Sequence, residues 1–156
     1  MQAKTEFKIR AEFKIRAEFK IRKMKLSDHA EVYKIWKSSP GVNLGLSDTK
    51  PYISSYMKRN PGFSFAAENK NGRIIGTVLA GHDGRRGYIY HVSVVKNQRG
   101  KGIGSELMKK CIASLKKAGM ERCTIFVDKN NSDAKKFWEK EGWHYRKDLV
   151  MMQKNI

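Results

Sequence analysis

The run His91-Val92-Ser93-Val94-Val95-Lys96-Asn97-Gln98-Arg99-Gly100-Lys101-Gly102-Ile103-Gly104-Ser105-Glu106-Leu107-Met108 decides the fold. β-branched residues dominate 92 to 95, which reads as a strand. Three glycines at alternate positions then free the backbone of Cβ atoms, and Leu107, Cys111, Ile112 and Leu115 recur at helical spacing. The segment is therefore a strand, a glycine-rich turn and a helix. The first N–H groups of such a helix lack intrahelical partners and point out of the positive end of its dipole, so a bare glycine turn there can wrap a phosphate or pyrophosphate.

The spacing narrows the anion. There is no G-x-x-x-x-G-K-[ST], and Gly100-Lys101-Gly102-Ile103-Gly104 lacks the wider last interval of the dinucleotide fingerprint. What does fit is R-x-x-G-x-G at Arg99, Gly102 and Gly104, directly after a Val-rich strand. This resembles the acetyl-coenzyme A signature of the GNAT family of N-acetyltransferases. A second segment, Asn131-Ser132-Asp133-Ala134-Lys135-Lys136-Phe137-Trp138-Glu139-Lys140-Glu141-Gly142-Trp143, is similar to the family's N-x-x-A-x-x-x-Y-x-x-x-G-F. The resemblance spans residues 19 to 153 and implies an α/β (α+β) fold. Its sheet is mixed and mostly antiparallel, with about six or seven strands flanked by about four helices, and two central parallel strands splay to admit the cofactor.

Composition agrees with one such domain. A chain of 156 residues with 40% hydrophobic content is long enough and apolar enough for a single core. No stretch reads as a membrane span or a secretory signal, which predicts a cytoplasmic protein. Cys111 and Cys123 make no disulfide framework and have no electropositive neighbour in sequence that would activate a thiolate. The formal net charge is +18, a field that favours polyanions, coenzyme A included. Lysines are spread along every segment, and the lack of a basic block interleaved with aromatics argues against nucleic acid as the partner.

The N-terminus is repetitive. Thr5 to Arg10, Ala11 to Arg16 and Ala17 to Arg22 are tandem copies of [TA]-E-F-K-I-R. Each has even length, so Phe and Ile of every copy fall on one side of an extended chain, whereas six residues of helix would turn about 240 degrees and scatter them. The copy joined to Lys23 is expected to form the first strand, an edge strand. The division expected is an extension over 1–18, from a duplication or an engineered insertion, and an N-acetyltransferase domain over 19–156. The surplus copies are expected either to project as a disordered arm or, the favoured outcome, to carry an amphipathic strand beyond the domain. Its apolar face and unpaired backbone invite pairing with a second molecule as a homodimer.

Ser27 is expected to cap a helix to about Ser38 with Val32, Ile35 and Trp36 inward, and Ser47 to open another to about Arg59 with Pro51 near its start. Phe63–Glu68 and Arg73–His82 read as a hairpin across the Asn-Gly turn of 69–72, and Tyr88–Val95 as the next strand. After the glycine-loop helix, Arg122–Val127 reads as a strand, Ser132 or Asp133 starts a helix to Glu141, and Trp143–Gln153 reads as a closing hairpin.

The resemblance implies direct acetyl transfer to a primary amine of a small molecule or protein. An amine of pKa about 10.4 is protonated at neutral pH, so a base is needed. His91 and Tyr90, just ahead of an implied bulge, are the candidates for base and proton relay. His29, His82 and His144 have nothing around them in sequence that points to catalysis. The resemblance implies that the cofactor lies along Val92 and Val94, whose main chains pair with the pantetheine arm, with a strand N–H around Val92 as the donor to the carbonyl oxygen. Its pyrophosphate would lie on Arg99, Gly100, Lys101, Gly102, Ile103, Gly104 and Ser105, with Asn131 and Trp138 as further contacts. The chain departs from the family at two places. Trp138 stands where a tyrosine would protonate the departing sulfur, and an indole N–H cannot surrender a proton. Phe126 stands where some members have a glutamate. These departures support an alternative, an acyl-coenzyme A-binding sensor or interaction module with little turnover.

Overall fold

A computed structural model describes residues 18–156. The two upstream repeat copies, and with them the expected strand-mediated dimer, lie outside the described residues. Those described fall into two compact units that divide between Phe126 and Val127. Among them, no helix is long and apolar enough to cross a membrane.

The first unit holds one sheet in the order β1-β2-β3-β4-β5. Its strands are β1 (Phe19–Lys23), β2 (Phe65–Asn69), β3 (Ile74–His82), β4 (Gly87–Val94) and β5 (Cys123–Ile125). The first four pair antiparallel in succession, and β5 lies parallel to β4. The repeat copy nearest the domain does form the edge strand, with Phe19 buried. Arg22 of this copy anchors it. Its guanidinium forks onto both oxygens of Asp28 at 2.7 and 3.0 Å, and its Nε donates to Glu68 Oε2 at 2.6 Å.

Helices α1 (His29–Lys37), α2 (Lys50–Arg59) and α3 (Ile103–Lys117) complete this unit. Neither expected serine cap forms. Ser27 and Ser47 sit inside 3-10 turns, Leu26–Asp28 and Leu46–Asp48. The cap is made by the acid at the end of each Leu-Ser-Asp triplet, which accepts the N–H three residues back, at Lys25 and at Gly45, both at 2.8 Å. Each serine lies inside its turn rather than ahead of the helix, and the carboxylate reaches back to the N–H that opens the turn.

Gly76 and Thr77 are neighbours on β3 and so point to opposite faces. Thr77 Oγ1 accepts the indole N–H of buried Trp36 from α1 at 2.9 Å. A Cβ on Gly76 would meet Ile103 Cγ2 at 2.8 Å, so α3 seats directly on the other face. Val32, Ile35 and Trp36 are buried as expected, and Ile53, Tyr56 and Met57 of α2 join their cluster. On α3 the buried stripe is Ile103, Leu107, Met108, Cys111 and Leu115, with Ile112 only half-buried.

The second unit contains α4 (Ser132–Lys140). The expected closing hairpin is absent, as 143–156 carries turns but no strand, and the sheet has five strands rather than six or seven. No Asn-Gly turn sets a register there, and Tyr145 and Leu149 to Met152 remain exposed.

Candidate active site

The site begins with an irregularity in β4. Thr77 pairs with Ser93 and Leu79 with Tyr90, so Val78 alone faces the two residues His91 and Val92, a β-bulge. His91 has φ +47°, the only positive φ outside glycine among the described residues. A side chain is held in that region only where its surroundings over-determine it, and such positions cluster at functional sites. Pairing with β5 covers Gly87, Tyr88 and Ile89 only. Beyond Ile89 the outer edge of β4, from Tyr90 through the bulge to Val94, therefore has no partner strand in the sheet.

Contacts around His91 account for its conformation. Its ring lies against Trp36, with centroids 4.8 Å apart, and its Nε2 meets Asp48 Oδ1 at 2.5 Å. Asp48 is 6% exposed. Its other oxygen holds the Gly45 N–H, and its carbonyl meets His29 Nε2 at 2.9 Å. Trp36 is itself pinned by Thr77. A carboxylate can only accept, so the proton sits on His91 Nε2 and the lone pair is left on Nδ1. Asp48 was not legible as a site residue, because its link to His91 spans 43 residues. The one local signal was its place at the end of a Leu-Ser-Asp triplet. His29, unremarkable in sequence, belongs to this cluster as well.

Tyr90 precedes the bulge and is half-buried; burial raises its phenol pKa, so it stays neutral at physiological pH. Its ring stacks near Tyr88 and Phe126, at centroid distances of 6.4 and 6.2 Å.

Past β4, a 3-10 turn over Lys96–Gln98 leads to the glycine loop. Gly100 and Gly102 have φ +76° and +78°, conformations that only glycine adopts freely, and Gly102 caps α3. The first intrahelical bond runs from Glu106 N–H to Gly102 C=O. The first turn of α3 is Ile103, Gly104 and Ser105, with Ile103 buried against the sheet and Gly104 and Ser105 half-buried. Arg99 reaches back, its Nε donating to Val94 C=O at 2.9 Å, and ties loop to strand. Lys101 Nζ donates to Gln98 Oε1.

Residues 29–143, which hold both the bulged strand and the glycine cap, match the family model described as acetyltransferase (GNAT) family. The chain belongs to the GNAT acetyltransferase family. Members act on an acetyl donor and an amine acceptor. This GNAT chain is similar to an acetyltransferase of Yersinia pestis, 27% identical over 129 residues that cover 83% of this chain and 89% of that protein. In fold it is similar to Ard1 from Thermoplasma volcanium, with TM-score 0.71, 21% identity and coverage of 80% of this chain and 82% of that one. It is similar too to an aminoglycoside acetyltransferase from an uncultured soil metagenomic sample, solved with sisomicin, with TM-score 0.72, 17% identity and coverage of 91% and 99%.

In the second unit of this GNAT chain, Asn131 caps α4, its Oδ1 accepting the Ala134 N–H at 3.0 Å. Trp138 packs on Phe137 and Trp143 at 4.9 and 5.3 Å. Neither thiol of the acetyltransferase is poised as a nucleophile. Burial raises both, Cys123 to about 11, and the Cys111 thiol lies within reach of Phe63 C=O at 3.3 Å.

Proposed function

We propose that this chain transfers an acetyl group from acetyl-coenzyme A directly to a primary amine, with His91 as the proton acceptor. The observation that carries the reading is the strained bulge at His91, joined to buried Asp48 and set on the part of β4 whose outer edge is unpaired. The residues present suit the cofactor. A free strand edge offers main-chain groups at Val92 and Val94, the buried Ser93 hydroxyl between them has no hydrogen-bond partner among the described residues, and a helix N-terminus behind left-handed glycines follows.

When bound, acetyl-coenzyme A supplies an activated thioester carbonyl and a thiol leaving group. The chain does the rest. Val92 and Val94 would orient the pantetheine arm, and a main-chain N–H at the bulge would meet the developing charge on the carbonyl oxygen. The turn from Gly100 to Ser105 holds the pyrophosphate, with Arg99 and Lys101 adding positive charge. Nδ1 of His91 takes the proton of the incoming ammonium, while Asp48 holds the ring's tautomer and steadies the imidazolium. Tyr90, a neutral phenol beside it, can relay that proton. Asn131 and Trp138 enter this reading through the sequence resemblance alone, Trp138 in the leaving-group position without an acid to offer. A thiol of pKa about 8.5 can depart unprotonated, so an acid is dispensable there.

Calorimetry with acetyl-coenzyme A and a thiol-release assay over an amine panel test this. Gly104→Val should weaken cofactor binding at least tenfold with the fold intact. His91→Gln should bind the cofactor normally and lose about 100-fold to 10,000-fold in kcat. Unchanged affinity in the glycine variant would overturn the cofactor site. Cofactor binding by the unaltered chain without turnover on any amine would instead favour the acyl-coenzyme A-binding module, for which Trp138 and Phe126 speak.

A further inference from the structure

Among the described residues of the first unit, three large apolar side chains stand exposed: Leu46 at 70%, Tyr52 at 49% and Phe126 at 55%. Each is linked to the His91–Asp48 pair through one or two intervening residues. Leu46 lies two residues before Asp48 in the same 3-10 turn. Phe126 stacks near Tyr90, which precedes His91. Tyr52 lies one turn from Tyr56 on the same face of α2, and Tyr56 meets Tyr90 edge-on at 6.1 Å. Exposed apolar side chains that gather at one place mark a recognition surface, whereas single ones scattered over a protein need no explanation.

The rings of this surface are flat and uncharged. Tyr88, Tyr90 and Phe126 lie near parallel, with interplanar angles of 14° and 23°. Burial holds the Tyr56 and Tyr90 phenols well above neutral pH. Such faces favour two things, another ring and a single cation at their π-surface. The field of the chain disfavours a polycation. At a formal net charge of +18, each further ammonium on an acceptor raises the work of bringing it in.

Resting on the acetyl-transfer reading, we infer that the acceptor is a small primary monoamine carrying an aromatic ring, its ring against Phe126 and its amine directed to His91. The ring supplies the binding, and the lone ammonium gives up one proton to Nδ1 of His91 before its lone pair attacks the thioester carbonyl. The C–S bond then breaks, and the second proton of the attacking nitrogen passes to the departing coenzyme A thiolate.

The test measures equilibrium binding of phenethylamine, n-butylamine and spermidine to the full chain saturated with coenzyme A. The same three amines are run separately in the thiol-release assay. Phenethylamine should bind at least tenfold more tightly than either aliphatic amine, Phe126→Ala should abolish that preference, and Phe126→Tyr should retain it. Phe126 is exposed, so its truncation should leave the fold intact, which circular dichroism checks. Spermidine or n-butylamine binding as tightly as phenethylamine would overturn the inference, as would a preference that survives Phe126→Ala. Binding needs no turnover, so a selective binder that transfers no acetyl group sustains the aromatic site and counts against the acetyl-transfer reading alone.

Discussion

Gly76→Ala should both destabilise the protein and damage its cofactor site, because Gly76 is where α3 rests on the sheet. The new methyl would come within 2.8 Å of Ile103 Cγ2 and 3.2 Å of Leu107 Cδ1. Carbon atoms settle at about 3.5–4.0 Å, so Ile103 has to retreat by roughly 0.7 Å or more. It cannot do so by rotamer alone, since a β-branched side chain on a helix has essentially one χ1 state. The start of α3 has to move with it. Replacing glycine at an ordinary φ recovers about 0.4–1 kcal/mol of unfolded-state entropy. Overpacking a core costs roughly 1–3 kcal/mol, so the steric effect wins. Ile103 is the first residue of α3 and directly follows Gly102, so the displaced turn is the one proposed to hold the pyrophosphate. Urea denaturation should show the loss, and calorimetry should show acetyl-coenzyme A affinity reduced several-fold. In an Ile103→Ala background the penalty of Gly76→Ala should shrink, as a double-mutant cycle would show. A Gly76→Ala protein within about 0.5 kcal/mol of the parent, with unchanged cofactor affinity, would refute the idea that this contact seats the helix.

Two further outcomes are expected. Thr77→Val leaves the buried indole N–H of Trp36 without its acceptor and should cost about 1–3 kcal/mol in urea denaturation, while the double variant with Trp36→Phe should show a smaller penalty for the threonine change. Hydrogen bonds from Lys20 and Arg22 lower Glu68 from 4.5 to about 2, and Asp28 is lowered too, because Arg22 and the Lys25 N–H outweigh its burial. In the pH window between 4.5 and about 2 the unfolded chain therefore binds more protons. The stabilisation is present above that window and lost as pH falls through it. Glu68→Gln should flatten acid unfolding there, and a parallel curve for parent and variant would contradict the role of this pair in holding β1.

What was legible in the sequence was local. Val92 to Val95, the alternate glycines and the apolar stripe of α3 each depend on residues a few positions apart, and their periods differ enough to be told apart. The Asn-Gly turn set the β2–β3 hairpin for the same reason. The limits were equally local. Ser27 and Ser47 drew attention as caps, yet each lies inside its turn and the acid that followed made the cap. The closing hairpin failed although Leu149 to Met152 are apolar, because no turn signal after Trp143 sets a register that would bury them, and all four stay exposed.

The repeat shows where the sequence stopped. Its even period settled that every copy puts Phe and Ile on one side, so all three copies suit the edge of the sheet equally by pattern. Connectivity to Lys23 singled out the last copy, and the tertiary structure supplied its anchor, because Arg22 bonds both Asp28, six residues on, and Glu68, the strand partner of Lys20. The site divides the same way. Glycine spacing announced an anion-binding turn, since that geometry is written in backbone freedom at adjacent positions. The base is another matter, for His91 gains its partner from Asp48, 43 residues away, and its ring wall from Trp36. No period links those positions. They meet because α1, the turn before α2 and the bulge of β4 pack against one another, a long-range arrangement of surfaces that only the folded chain brings into contact.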